Sequence, residues 1–112
     1  MIYAFHDFEL DTERVELREK GLAVAIEPQV FALLRFLIEN RERMVTKDEI
    51  VDAVWNGRIV SDSAITSRVK TARQAVGDNG RAQSIIRTVH GLGFAFVAEV
   101  TTRATLSVAR TE

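Results

Sequence analysis

The hydrophobic period of this chain changes twice, and those two changes limit the folds open to it. Residues 2–26 carry β-branched and aromatic side chains in short runs, Ile2–Phe8, Val15–Arg18 and Leu22–Ile26, parted by Asp11–Glu13 and by Lys20-Gly21. Such runs between turn-forming residues predict a small antiparallel sheet. From Glu27 the spacing lengthens: Val30, Phe31, Leu34, Leu37 and Ile38 recur at three- and four-residue steps, and Pro28 suits a first helical turn. That helix is expected to end near Asn40. Thr46-Lys47-Asp48-Glu49 is a capping box opening a second helix, with Ile50, Val51, Val54 and Trp55 on its apolar face and Asn56-Gly57 as its stop. A third begins at Ser61 or Asp62, buries Ile65, Val69, Ala72 and Val76, and closes at Gly77. The period then returns to two. Ile85–Val89 and Phe94–Ala98 read as strands about the glycine-rich tip His90-Gly91-Leu92-Gly93. Strands, three helices and a hairpin, in that order, make an α+β fold.

Length and composition close several other routes. The 112 residues suffice for one domain with a real core. With no cysteine, disulfides, thiol catalysis and cysteine-based zinc sites are excluded. His6 and His90 are the two histidines, far apart, so no metal centre or cofactor is expected. The most apolar stretch, Ala32–Ile38, is broken by Arg35 and falls well short of the roughly 20 residues that span a bilayer. Met1 runs into Ile2–Phe5 without a basic leader, so a cytoplasmic location is expected. Asp48, Glu49 and Asp52 are read as a helix start and a solvated face, not a catalytic pair, and Trp55, Phe31, Phe36, Phe94 and Phe96 as core. No enzyme is expected, and no catalytic residue is assigned.

Net charge is −1, but its distribution is uneven. Residues 1–60 hold eight Lys or Arg against twelve Asp or Glu, and residues 61–112 seven against four. A basic half on an acidic support can bind phosphates locally. On the third helix, short hydroxyl residues near the start (Ser63, Thr66, Ser67) give way to Arg68, Lys70, Thr71 and Arg73, and only Asp62 at the cap is acidic. Short polar side chains let a helix enter a major groove, where arginine reads guanine and lysine meets the backbone. An ordinary solvated amphipathic helix is the plainer explanation, although such faces usually mix both charges. Arg87, Thr88 and His90 around the hairpin tip suit a wing lying on phosphates or in a minor groove; a plain charged hairpin edge is the alternative.

Three segments carry a resemblance. Arg43-Met44-Val45-Thr46-Lys47-Asp48-Glu49-Ile50-Val51-Asp52-Ala53-Val54-Trp55 resembles the second helix of the OmpR/PhoB-type output domains, and Ile65–Asp78 their recognition helix. Ile86-Arg87-Thr88-Val89-His90-Gly91-Leu92-Gly93-Phe94 is similar to their wing, usually I-R-T-V-R-G-x-G-Y. The likeness covers roughly residues 1–98. It implies a winged helix-turn-helix: an N-terminal four-stranded antiparallel sheet, a three-helix bundle and a C-terminal β-hairpin wing. It also implies sequence-specific binding of double-stranded DNA in a bacterial transcriptional regulator, often by head-to-tail pairs on direct repeats. The recognition helix would span about residues 62–76 and the wing about 85–98. DNA-contacting residues would be Ser63, Thr66, Ser67, Arg68, Lys70, Thr71, Arg73, Arg87, Thr88 and His90. The loop Asn56–Val60 falls where the family can touch RNA polymerase.

The chain departs from the family pattern at His90 for the wing arginine, Phe94 for tyrosine, and Ala72 and Val76 for larger leucines. With the fold starting at Met1, an N-terminal winged helix without a preceding receiver domain is expected, an arrangement that resembles ToxR/CadC-like regulators. Residues 1–100 are taken as the domain and 101–112 as a flexible tail or linker. The competing class is a protein-interaction module that has kept the scaffold and lost DNA, to which the acidic first half would suit.

Overall fold

The computed structural model describes residues 1–104. Four strands come first: β1 (Ile2–Phe5), β2 (Phe8–Asp11), β3 (Glu16–Glu19) and β4 (Leu22–Val24). Then follow α1 (Pro28–Glu39), β5 (Val45–Thr46), α2 (Lys47–Trp55), α3 (Asp62–Ala75), β6 (Ile86–Val89), β7 (Gly93–Phe96) and β8 (Thr101–Arg103). Both sheets are antiparallel, one ordered β4-β3-β2-β1-β8 and the other β5-β7-β6.

The run Ile2–Phe8, expected as one strand, is two. His6, at a φ of +50°, and Asp7 turn the chain so that Phe5 pairs with Phe8. Three residues apart on a straight strand, these rings would lie on opposite faces. The turn puts both inside, stacked with centroids 5.8 Å apart. Lys20 and Gly21, both at positive φ, make the two-residue hairpin between β3 and β4. Register aligns Tyr3, Leu10, Leu17 and Val24 on the inner face, with Leu10 and Leu17 fully buried. On the outer face Arg18 bridges Glu9, Asp11 and Glu16 at 3.2, 3.4 and 2.6 Å.

Two short strands have no counterpart in the hydrophobic pattern of the sequence. β5 pairs with β7 beside Gly93, where an added Cβ would overlap the Val45 carbonyl oxygen, so only glycine admits this approach. β8 returns to the first sheet, setting Thr101 against Ala4 and Arg103 against Ile2, with Arg103 reaching Glu9 at 2.7 Å. The ladder therefore extends the ordered domain through Arg103, where a flexible tail was expected from Thr101. The rest of that expected tail, residues 105–112, lies outside the described residues.

Helix α1 is the centre of the molecule. Val30, Phe31, Leu33, Leu34, Leu37 and Ile38 are all buried, so it is apolar on more than one side and packs against both other helices and β7. Phe96 of β7 meets Phe5 edge-on at 5.1 Å, joining the N-terminal sheet to the hairpin. Capping follows the sequence at both later helices. Thr46 Oγ1 accepts from the Glu49 amide while the Glu49 carboxylate accepts from the Thr46 amide, and Ser61 Oγ accepts from the Ala64 amide.

Candidate nucleic-acid interface

The outward face of α3 follows from which of its residues are buried. Ile65, Val69 and Ala72 turn inward, and α3 packs mainly against α1. At 3.6 residues per turn, the opposite side must carry Ser63, Thr66, Ser67, Lys70 and Gln74, and all five are exposed. No carboxylate lies on this stripe. The acid at its start, Asp62, is met by Lys47 Nζ at 3.4 Å, from the first residue of α2. Lys70 has no ion pair among the described residues. The Thr71 hydroxyl is half-buried and donates to the Ser67 carbonyl at 3.1 Å, one turn back.

The two arginines of α3 lie elsewhere. Arg68 sits on one flank, its Nη1 donating to Glu27 Oε1 at 2.9 Å, and its Nε is buried with no hydrogen-bond partner. Glu27 is the N-cap residue of α1 but spends no side-chain bond on that helix.

Arg73, expected to read bases, is 8% exposed and corrects that expectation. It follows Val69 by four residues, about 40° round the helix, which carries it towards the core. Its Nε donates to the Ile86 carbonyl at 3.1 Å and its Nη2 to Thr88 Oγ1 at 2.8 Å, both on β6. Burial lowers its pKa and the Asp78 charge opposes that shift; a guanidinium so placed stays cationic.

The hairpin is built from the same end of α3. The buried Asp78 carboxylate accepts from the amides of Ser84, Ile85 and Ile86 at 2.9, 3.0 and 2.9 Å, and from Ser84 Oγ at 3.1 Å. Burial pushes its pKa up, yet these amide donors outweigh that and hold it at about 2. Gln83 Oε1 accepts from the Thr88 amide at 2.9 Å. Thr88, expected as a free wing contact, is therefore half-buried, with its amide donating to Gln83 and its hydroxyl oxygen accepting from Arg73. Arg87 and His90 are exposed near the tip, as expected.

The structure thus brings Ser63, Thr66, Ser67 and Lys70 onto one open face, with Arg87 and His90 on the hairpin. It sets Arg68, Thr71, Arg73 and Thr88 into internal contacts. Gln74 joins the open face and was not among the expected contacts, although its four-residue step from Lys70 was visible. Asp78 and Gln83, which frame the hairpin, carried no local signal. Among the described residues no cluster of three or more His, Asp or Glu could hold a metal ion. Among the same residues no helix is long and apolar enough to cross a membrane.

A three-helix bundle that holds its third helix outward beside a β-hairpin is a winged helix-turn-helix. The family model described as "Transcriptional regulatory protein, C terminal" matches residues 21–96. The chain belongs to that family, the OmpR/PhoB-type DNA-binding domains of transcription regulators. Relatives include the transcriptional regulatory protein GltR of Pseudomonas aeruginosa, 29% identical over 88% of this chain and 42% of the relative. The probable transcriptional regulatory protein TcrX of Mycobacterium tuberculosis is 32% identical over 79% of this chain and 37% of its own length. The chain thus spans about two-fifths of the length of these curated relatives. Two solved structures share the fold. The Klebsiella pneumoniae RstA DNA-binding domain, in complex with the RstA box, has a TM-score of 0.76 at 20% identity, covering 85% of this chain and 95% of that one. The DNA-binding domain of Escherichia coli CadC also has a TM-score of 0.76, at 22% identity, covering 89% and 94%.

Proposed function

We propose that this chain binds double-stranded DNA sequence-specifically, as the DNA-reading part of a bacterial transcriptional regulator. In this reading α3 enters the major groove and the β6–β7 hairpin lies against the backbone or the adjacent minor groove. The observation that carries it is the open, acid-free stripe of α3. Ser63, Thr66, Ser67 and Lys70 face outward with no side chain of the described residues laid across them. A carboxylate there would repel phosphate; three short hydroxyls and one free cation do not.

The remaining expected contacts take graded roles. Arg68 reaches a phosphate by exchanging Glu27 for it. Thr71 sits beside the stripe as a weak acceptor. Thr88, whose oxygen is occupied by Arg73, keeps its hydroxyl proton to donate to the backbone. Arg87 and His90 meet phosphates or the minor-groove edge, the histidine as a weaker donor than arginine. Arg73 makes no base contact from its buried position.

Partners follow from the same reading: duplex DNA, a second copy head to tail on a direct repeat, and RNA polymerase at Asn56–Val60. That loop supports the last assignment, since Asn56 leaves α2 in the left-handed conformation and Ile59 is 100% exposed. A regulator working on the chromosome acts in the cytoplasm.

Selection from random duplexes at a stated salt concentration tests the reading. Enrichment of one short motif, doubled as a direct repeat, is expected. Failure to enrich any sequence, with binding to protein partners instead, would establish the protein-interaction class in its place.

A further inference from the structure

We infer that Arg73 is a positioning residue for DNA recognition: its buried guanidinium fixes the spacing between the helix that enters the groove and the wing beside it. The inference rests on the DNA-binding reading above and adds to it a residue that acts without touching DNA.

The geometry is specific to a guanidinium. Arg73 lies near the last turn of α3, and its two bonds go to one strand, at Ile86 O and two residues further on at Thr88 Oγ1. A planar, rigid fork that satisfies both acceptors sets the direction of β6 relative to α3, not merely its proximity. Two neighbouring groups hold the same strand. Asp78 takes the amides of Ile85 and Ile86, and Gln83 takes that of Thr88. Helix and wing are therefore tied by hydrogen bonds at several points along β6.

Stability alone does not account for a cation in this place. A buried charge is costly to desolvate, and an apolar side chain of similar volume commonly serves a core as well or better. Burial lowers the Arg73 pKa, and Asp78 opposes that shift only through its field. What the guanidinium gives that leucine or methionine could not is a fixed angle. An interface that reads one groove with a helix and touches the backbone with a hairpin depends on that angle, because both must dock at once.

The test compares wild type, Arg73→Lys, Thr88→Val and the double variant on the selected duplex and on a random one. Lysine keeps the charge but replaces the planar fork by a single rotatable ammonium, so it cannot hold both bonds in their fixed directions; valine removes the acceptor and keeps the shape. Guanine methylation protection reports the helix, hydroxyl-radical protection reports the wing, and circular dichroism reports folding. For Arg73→Lys, we expect major-groove protection to persist and wing protection to fade. Affinity for the selected duplex should fall about tenfold or more, with a smaller loss on random DNA and an unchanged salt slope. The double variant should be no worse than the poorer single one, since both cut the same link. A salt slope reduced by about one would mean that Arg73 itself meets a phosphate, and additive losses would mean independent contacts; either overturns the proposal. So does wild-type wing protection in Thr88→Val, which decides the matter if Arg73→Lys does not fold. A wild-type chain that selects no duplex defeats the DNA-binding reading itself. Wild-type binding with unaltered variants defeats only the role of Arg73.

Discussion

Val15 sits at a φ of +52° in the β2–β3 turn, exposed, and it is β-branched, the side-chain class least suited to that conformation. Val15→Gly should raise stability by roughly 1 kcal/mol, because the relief of strain exceeds glycine's extra freedom in the unfolded chain. A thermal melt with no gain would show that the turn holds valine without strain. The Glu27–Arg68 pair predicts a gain of function. Glu27 is well exposed, so the pair is weak, and the unpartnered Arg68 Nε offsets part of it. Glu27→Gln frees Arg68 and should tighten binding to the selected duplex, by no more than about fivefold. Fluorescence anisotropy at fixed salt measures this; unchanged or weaker binding would count against a phosphate role for Arg68. Lys70 and Arg87 should separate in character. Lys70→Ala should weaken the selected duplex more than random DNA, whereas Arg87→Ala should weaken both alike and lower the salt slope by about one.

At the scale of elements, the junction from α3 to β6 is held by one carboxylate. Asp78 is buried, and the amides around it depress its pKa to about 2 from the usual 3.8. A carboxyl group whose pKa is lower folded than unfolded stabilises the protein above about pH 4 and loses that contribution as pH falls towards 2. The full contribution is about 2 kcal/mol. Urea unfolding between pH 6 and 2.5 should show this loss in the wild type, and Asp78→Asn should be destabilised at neutral pH but flatter across the same range. Equal pH dependence in the two proteins would remove Asp78 as the cause. The paired strand starts at Ile86, one residue into the apolar run Ile85–Val89. The Ile85 and Ile86 amides both go to Asp78, while the Ile85 carbonyl accepts from the Val97 amide at 2.8 Å and closes the hairpin ladder.

For the whole molecule, the long-range contacts gather around α1 and the two sheets. β8 ties the end of the described chain to its beginning, through the Ile2–Ala4 register and Arg103–Glu9. A chain ending at Val100 should therefore melt lower, by roughly 4–8 °C, and bind DNA with unchanged affinity, because β8 joins the sheet that does not carry the recognition helix. An unaltered melting temperature would show that the ladder adds nothing. Loss of binding would mean that the first sheet communicates with α3 more than its packing suggests.

The sequence determined the elements that depend on neighbours in the chain. Period placed α1, α2 and α3, the Thr46–Glu49 box and Ser61 set two helix starts, and the glycine-rich run about His90 set the hairpin tip. It determined the open stripe too, since hydroxyls opposite Ile65, Val69 and Ala72 must point outward once those three are buried. Only tertiary structure decided which polar groups remain available. Arg68 and Arg73 each lie four residues from a buried neighbour, at the margins of the polar face, where long side chains reach either water or the fold. Glu27, 41 residues from Arg68, and Thr88, 15 residues from Arg73, drew them inward. Hydrogen bonds between distant residues leave no periodic trace, and so β5, β8 and the Arg73 tie came from the folded chain alone.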